Sequence, residues 1–181
     1  SYCTASNNNV TNKDAYIKTI IDYVLPDIFT VCEMNQLQTS IDRVLTNVMN
    51  TSGRTNYAKG PRTNYSSSDM VNMVYYNTDK LIYHSYTALP TDIRDINFYT
   101  FYYKDPNLSV THDTAWITCI IMHLKAGNYT GDPEERLAEV TILMNYLDAL
   151  NKPGNFLAMG DFNTYTSDED CYQLLLNHDN S

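Results

Sequence analysis

Apolar residues recur along this chain with two different periods, and their alternation predicts the order of helices and strands. Where they return every third or fourth position they mark one face of a helix, as in residues 12–24 and 37–48. A third helix is expected from Asp132, as N-cap before Pro133, to the stop at 152–154. Ser167 is expected to cap a last helix that ends near residue 176.

Six short runs rich in β-branched and aromatic residues predict strands between these helices. They cover residues 28–32, 71–76, 81–86, 98–103, 115–122 and 156–159. Only residues 77–80 (Asn-Thr-Asp-Lys) separate the second run from the third, which predicts a β-hairpin. Helices that alternate with strands, together with a hairpin, indicate an α/β fold with a mixed sheet.

Three of the predicted strands end on polar side chains. Glu33 follows the first strand, His123 follows the run 115–122, and Asp161 with Asn163 follows the last strand. Ligands of α/β proteins gather where strands leave the packed sheet, so these ends are expected to converge on a crevice. Taken singly, each has a simpler explanation: a solvated loop glutamate, a structural histidine, or an Asx turn formed by Asp161.

Length and composition indicate one globular domain over residues 1–181, with 43% hydrophobic and 18% charged residues. The formal net charge of −9 excludes a broad basic surface for a nucleic-acid backbone. If the protein handles phosphates, a bound metal ion is expected to supply the positive charge. No apolar run approaches the ~18 residues of a membrane span, so no span is expected. Cys32 and Cys119 lie in apolar runs, which favours free thiols over a disulfide.

The polar loop 50–68 has two explanations, because loops of this length are either functional or disordered. It contains three of the chain's basic residues, and a fourth precedes it. These four residues are Arg43, Arg54, Lys59 and Arg62. Together they could form a local basic strip for a nucleic acid despite the acidic total.

The strand ends resemble motifs of the endonuclease/exonuclease/phosphatase superfamily, whose fold is similar to deoxyribonuclease I. Residues 160–163 (Gly-Asp-Phe-Asn) match that family's motif, and PDIFTVCEMN (26–35) resembles its strand that ends in a metal-binding glutamate. HLKAG (123–127) is similar to the strand-end histidine segment of secreted nucleases and sphingomyelinases. TDIRDINFYTFYYK (91–104) resembles the segment that places an arginine near the substrate. The resemblance covers nearly the whole chain and is closest to secreted bacterial members.

This resemblance implies both a fold and a set of site residues. The implied fold is α/β, a four-layer α/β/β/α sandwich with mixed sheets. Glu33 would hold a divalent metal, Mg²⁺ or else Mn²⁺ or Ca²⁺, and Arg94 would bind the substrate. Asp161 would orient and deprotonate the attacking water. Asn163, on the same side of an extended segment, would donate to the phosphate or help hold the site. His123 would donate a hydrogen bond or a proton to a phosphate oxygen.

At both ends the chain departs from the family pattern. Members begin with a strand that carries an asparagine of the metal site and finish with an Asp-His pair. Here the chain opens at Ser1 and stops at Ser181, so we expect a truncated form with incomplete first and last strands, which alone need not be active. His178 lacks the expected Ser-Asp-His context and is not assigned the catalytic role.

By resemblance, the expected function is that of a metal-dependent phosphodiester hydrolase, and a nuclease is the first expectation. Phospholipid or phosphomonoester substrates stay open, because loops select the substrate. A noncatalytic surface or binding module that retains the fold is an alternative of another class. The resemblance alone also implies a secreted or periplasmic protein, and a monomer is favoured.

Overall fold

Seven strands and five α-helices make up the part of the chain that the computed structural model describes, residues 10–177. In chain order they are α1 (Val10–Val24), β1 (Ile28–Asn35), α2 (Gln38–Val44), β2 (Tyr57–Lys59), β3 (Met70–Asn77), β4 (Leu81–Leu89), β5 (Ile96–Tyr103), α3 (Leu108–Thr111), β6 (Trp116–His123), α4 (Asp132–Leu150), β7 (Phe156–Asp161) and α5 (Asp170–Asn177). A π-helical turn, Leu45–Met49, continues α2. All predicted helices and strands are present. The π turn completes the helix predicted over residues 37–48, and only β2 and α3 have no counterpart in the sequence prediction.

The strands form two sheets. In the first, called the small sheet, β3 lies between β1 and β2 and is antiparallel to both. The second, called the large sheet, has the order β4-β5-β6-β7. Its first two pairings are antiparallel, and β6 with β7 is parallel. The predicted mixed sheet is therefore confirmed.

The predicted hairpin between residues 71–76 and 81–86 is wrong. β3 already has a partner on each edge, so it offers no free edge to β4. Residues 77–80 instead carry the chain from the small sheet to the large one, where β4 pairs with β5. Asn77 stabilises this crossover, because its Oδ1 accepts the main-chain N–H of Asp79 at 3.0 Å.

Three separate apolar clusters show that the molecule has four layers. Between the small sheet and helices α1 and α2 lie Ile21, Ile41, Val44, Met73 and Tyr75. Between the two sheets lie Val74, Tyr99, Phe101, Cys119 and Ile121. Between the large sheet and helices α4 and α5 lie Phe98, Ile120, Met122, Val140 and Cys171. Neighbouring residues of one strand enter different clusters because their side chains alternate between its faces. The expected α/β/β/α sandwich is confirmed.

Two predicted helix starts are displaced. Gly131, not Asp132, is the N-cap of α4, and Asp132 forms the first turn, where its Oδ2 accepts the N–H of Tyr129 at 2.8 Å. The last helix begins at Asp170 rather than after a Ser167 cap. The residue before it, Glu169, accepts the N–H groups of Tyr172 and Gln173 at its main-chain oxygen, while its side chain forms an ion pair with the fully buried Arg136 at 2.8 Å.

One buried carboxylate holds the loop 50–68 against the rest of the fold. Asp95 is 6% exposed and accepts hydrogen bonds from Thr63 Oγ1 at 2.7 Å and from the main chain of Tyr65 at 2.9 Å. It also accepts from both the N–H and the hydroxyl of Ser66. The loop contains β2 and is an ordered part of the fold, which argues against the disordered alternative.

The remaining expectations have different outcomes. Cys32 and Cys119 are free thiols, as predicted, and burial raises the pKa of Cys119 to about 11. No helix within residues 10–177 is both long and apolar enough to cross a membrane. The expectations for the two chain ends, including that for His178, concern residues outside the described part.

Gly160→Ala is expected to destabilise the fold by about 2–4 kcal/mol in urea unfolding. Gly160 has a φ of +137°, and a Cβ added there would lie 1.9 Å from the main-chain oxygen of Met122 on β6. Gly53→Ala is the matched control, since Gly53 has a φ of +84° but no atom within 4 Å of the added Cβ. Backbone strain alone should lower the free energy of unfolding of Gly53→Ala by about 1–2 kcal/mol. Equal losses of unfolding free energy in the two variants would show that the close approach of β6 and β7 at Gly160 does not contribute to stability.

Candidate active site

Glu33 lies within β1 rather than after it, so the prediction that it follows the first strand is wrong, and a β-bulge places it at the edge of the small sheet. The register of β1 against β3 shifts at Cys32 and Glu33, which together lie opposite the single residue Asn72. The Glu33 main chain has a φ of +57°, an uncommon conformation for a residue other than glycine. Its side chain is exposed, and its carboxylate makes no hydrogen bond or ion pair with another residue of 10–177. The bulge therefore presents a carboxylate that is free to bind a ligand.

The parallel pairing of β6 with β7 brings His123 and Asp161 side by side. They are register partners at the last position of each strand, so their side chains lie on the same face of the large sheet. The ladder continues one step further, since Leu124 donates its N–H to the main-chain oxygen of Asp161 at 3.0 Å. Two of the three predicted strand endings thus meet at one edge.

Asp161 and Asn163 form the Asx turn that the sequence left open. The N–H of Asn163 donates to Asp161 Oδ1 at 3.1 Å. With a φ of +49°, the Asn163 main chain is not extended. The prediction that Asp161 and Asn163 lie in an extended segment is therefore wrong. One hydrogen of its side-chain amide is committed to the main-chain oxygen of Leu124 at 2.9 Å. Phe162 packs into the apolar cluster beneath α4 and α5, which anchors the turn. Asp161 Oδ2 has no hydrogen-bond partner among residues 10–177.

Arg94 is a half-buried cation behind the strand ends. Its Nε and Nη2 donate to the main-chain oxygens of His123 and of the next residue, both at 2.8 Å. Burial lowers the pKa of Arg94, although three nearby carboxylates act in the opposite direction. These belong to Glu139, Glu33 and Asp161. One guanidinium thus lies close to acids from both sheets and from helix α4. We call Glu33, Arg94, His123, Asp161 and Asn163 together the strand-end site.

His123 is nearly enclosed, at 4% exposure, and its Nδ1 is buried without a hydrogen-bond partner. Burial lowers the pKa of His123, and the positive charge of Arg94 lowers it further. The carboxylates of Asp161 and Glu33 only partly oppose this shift. The imidazole is therefore neutral at pH 7, which makes it suited to donate a hydrogen bond rather than a full proton.

Two asparagines that the sequence analysis did not single out lie beneath the site. Asn72, 2% exposed, lies opposite the bulge and donates its side-chain amide to Asn97 Oδ1 and to the main-chain oxygen of Asp95, both at 3.1 Å. Asn97 in turn donates to the hydroxyl of Tyr86 at 2.8 Å. The available signal was a polar residue inside an apolar run, as in MVNMV and INFYT. These bonds join β3 of the small sheet to β5 of the large one.

Glu139 is a buried acid that supports the site from helix α4. It is 3% exposed, and its Oε2 accepts the N–H of Lys125 at 2.8 Å. Its Oε1 accepts from Thr91 Oγ1 at 3.3 Å, in the turn that leads into Arg94. Burial raises the pKa of Glu139 to about 7. In the sequence, its place on the buried face beside Val140 was the only signal.

The donor set of the strand-end site suits a cation that needs few protein ligands. Among residues 10–177, no group of three or more His, Cys, Asp and Glu side chains is placed to surround a metal ion. Mg²⁺ commonly takes one or two carboxylates and completes its shell with water and substrate oxygens. The unpartnered carboxylate of Glu33 fits that requirement. Metals that depend on a nitrogen or sulfur cage fit less well.

Glu139→Gln is expected to remove a pH dependence of stability. The folded chain raises the pKa of Glu139 from 4.5 to about 7, so the stabilisation is complete below pH 4.5 and is lost as the pH rises through 7. The free energy of unfolding of the variant, relative to wild type, should therefore increase by about 2–3 kcal/mol between about pH 5 and about pH 8. Urea unfolding at the two pH values measures it. Glu134→Gln, an exposed position of the same helix, should show no such change. If the difference in unfolding free energy between Glu139→Gln and wild type does not change with pH, the raised pKa of Glu139 is refuted.

Comparisons with known proteins address the fold directly. No family model and no curated protein sequence matches the chain. The human Nocturnin catalytic domain with bound sulfate is similar, with a TM-score of 0.67 and 12% identity over 95% of this chain and 64% of that chain. ANGEL2, a 2′,3′-cyclic phosphatase, has a TM-score of 0.62 and 13% identity over 92% of this chain and 47% of that chain. D. rerio TDP2 complexed with a single-strand DNA product has a TM-score of 0.55 and 8% identity over 90% of this chain and 58% of that chain.

The chain spans between 47% and 64% of the length of these three neighbours. At such low sequence identity, the similarity concerns the course of the backbone and the order of its layers. The same architecture was expected from the Gly-Asp-Phe-Asn motif and the two other strand ends. We conclude that this chain shares the four-layer α/β/β/α fold of these structures, which is the deoxyribonuclease-I-like fold.

Proposed function

We propose that this protein is a metal-dependent phosphodiester hydrolase, and first of all a nuclease. The observation that carries the proposal is the convergence of Glu33, Arg94, His123 and Asp161 at one edge of the sandwich. The fold supports it, because similar structures include a 2′,3′-cyclic phosphatase and a protein complexed with a DNA product.

The charge balance of the site explains why a metal ion belongs in the proposal. Glu33 and Asp161 contribute two carboxylates, and Arg94 is the cation near both of them. A phosphodiester carries a further negative charge, so the site with its substrate is short of positive charge. Glu33 would hold Mg²⁺ or Mn²⁺, which when bound would supply that charge and polarise a phosphoryl oxygen.

The chain's own residues divide the remaining tasks. Asp161, with Oδ1 held by the Asx turn, offers Oδ2 to orient and deprotonate a water molecule. His123, neutral because of its lowered pKa, donates a hydrogen bond to a phosphate oxygen. Asn163 keeps one amide hydrogen beyond its bond to Leu124 and can donate it to the same phosphate. Arg94 supports this geometry from behind and attracts the anionic group.

A small phosphoester is the second candidate substrate, and the state of the basic strip favours it. Three of its four cations are paired with aspartates, so the strip offers little free positive charge to a nucleic-acid backbone. The pairs are Arg43 with Asp14 at 2.6 Å, Arg54 with Asp22 at 2.5 Å, and Lys59 with Asp42. Under this alternative, selectivity would come from the strand-end site itself rather than from a long contact surface.

Asp161→Asn and Glu33→Gln are each expected to lower phosphodiester hydrolysis by about 10²–10⁴-fold. Asp161→Asn removes the general base that activates the water, and Glu33→Gln removes the carboxylate ligand of the cation. The measurement is hydrolysis of DNA, RNA and bis-nitrophenyl phosphate by the full-length protein with Mg²⁺ or Mn²⁺. Asp168→Asn is the matched control, because Asp168 is an exposed acid of the same stretch and should leave activity unchanged.

The outcomes separate the candidates. Activity that survives both EDTA and Asp161→Asn would show that the site is wrongly assigned. Faster hydrolysis of nitrophenyl phosphate than of its diester would favour the phosphomonoester alternative. A folded full-length protein that hydrolyses none of these substrates would favour the noncatalytic binding module.

A further inference from the structure

A second concave site lies on the outer face of the large sheet, at the opposite end from the strand-end site. It has a volume of about 970 Å³ and is bounded by β4, β5 and β6, by the end of α4, and by residues 152–156. We call it the outer groove. Its size is at the upper end of the range of about 300–1,000 Å³ that ligand sites occupy. Trp116 and His123 are the first and last residues of β6, so about 23 Å separates the two sites at about 3.3 Å per residue.

The floor of the outer groove is made of hydroxyl groups. Thr100 of β5 and Thr118 of β6 are register partners, and their hydroxyls are hydrogen-bonded to each other at 3.0 Å. Ser85 and Thr87 of β4 extend this polar floor. On the same face of the sheet, Phe98 is buried beneath the helices, so the face changes from apolar to hydroxyl-lined where α4 no longer covers it.

Aromatic rings form the walls. Trp116 is 40% exposed and is held in place by His84, with ring centroids 4.7 Å apart, and by Tyr102 at 5.0 Å. These neighbours fix the orientation of the indole and leave part of it open to the groove. Phe156 at the start of β7 is also 40% exposed, and Tyr146 of α4 lines the groove as well. A large exposed tryptophan in a rigid setting is a typical feature of binding surfaces.

The charge of the groove narrows the chemistry of its ligand. None of the lining residues that the structure describes is an Asp or Glu, although the chain carries 21 acidic residues. Lys152 is the only lysine or arginine among them. A cationic ligand would lack a carboxylate partner here, and a polyanion would lack the cluster of cations that phosphates require. The groove therefore suits a neutral ligand.

We propose that the outer groove binds a neutral saccharide chain. The C–H face of a pyranose ring is apolar and stacks on an indole, while its rim of hydroxyls exchanges hydrogen bonds with threonine and serine hydroxyls and with amides. Trp116 and Phe156 supply the stacking surfaces, and the Thr100–Thr118 floor supplies the hydrogen-bonding groups. Asn155 adds its side-chain carbonyl, since its amide already donates to the main-chain oxygen of Trp116 at 3.0 Å.

Trp116 is the only tryptophan of the chain, so its fluorescence reports on this groove without interference. The experiment titrates the 181-residue chain with maltohexaose, cellohexaose and chitohexaose, and in parallel with hexathymidylate. We expect at least one saccharide to produce a saturable change in emission at concentrations up to the millimolar range, and calorimetry to confirm the binding. The absence of a saturable response to all three saccharides, or a saturable change in Trp116 emission at lower concentrations of the oligonucleotide than of any saccharide, would overturn the proposal.

A double variant, Thr100→Val with Thr118→Val, tests the floor while it keeps the fluorescent reporter. Replacing both partners of a hydrogen bond with groups of the same shape is nearly neutral for folding, so the variant should remain folded. It should bind the saccharide about tenfold more weakly or worse, because the ligand loses hydrogen-bond partners. Tyr129→Ala, which removes an aromatic ring that is 84% exposed outside the groove, is the control and should bind as wild type does. Unchanged saccharide affinity in the double variant, or an equal loss of affinity in Tyr129→Ala, would refute the proposal that the saccharide binds in the outer groove.

Discussion

The close pairing of β6 with β7 is the constraint on which the strand-end site depends. Gly160 leaves no room for a side chain against the main-chain oxygen of Met122, and this approach sets His123 and Asp161 in register. Phe162 then anchors the turn from the opposite face. The glycine of the motif is thus a packing requirement, while the acid that follows it is presented at the sheet edge. Stability and candidate chemistry are divided between adjacent residues of one short segment.

Charge is arranged around a single guanidinium. Arg94 holds the end of β6 through two main-chain oxygens, and it lies close to acids contributed by both sheets and by α4. Its positive charge favours a neutral His123, while burial keeps the pKa of Glu139 near 7. A bound cation at Glu33 would complete this balance when an anionic substrate enters. Under the proposed function, this arrangement would let so acidic a chain act on phosphoesters.

Local sequence signals predicted the order of the elements and the positions of His123 and Asp161 at strand ends, because periodicity and motif spacing are properties of short segments. They failed where the position or pairing of a residue depends on a partner that is distant in the sequence. The turn at 77–80 looks like a hairpin, but β3 has no free edge. Glu169, Arg54 and Lys59 form ion pairs with residues that are distant in the sequence. Asn72 and Glu139 matter through contacts with other elements, which no pattern within β3 or α4 records.

The most direct test of this account is where a divalent cation binds. Crystals of the protein soaked in Mn²⁺ and measured at a wavelength where manganese scatters anomalously would show the ion without reference to activity. The account predicts an anomalous peak in direct coordination with the Glu33 carboxylate, on the side that faces Asp161. Peaks confined to other acids, such as those at 168–170, with none at Glu33 would contradict it.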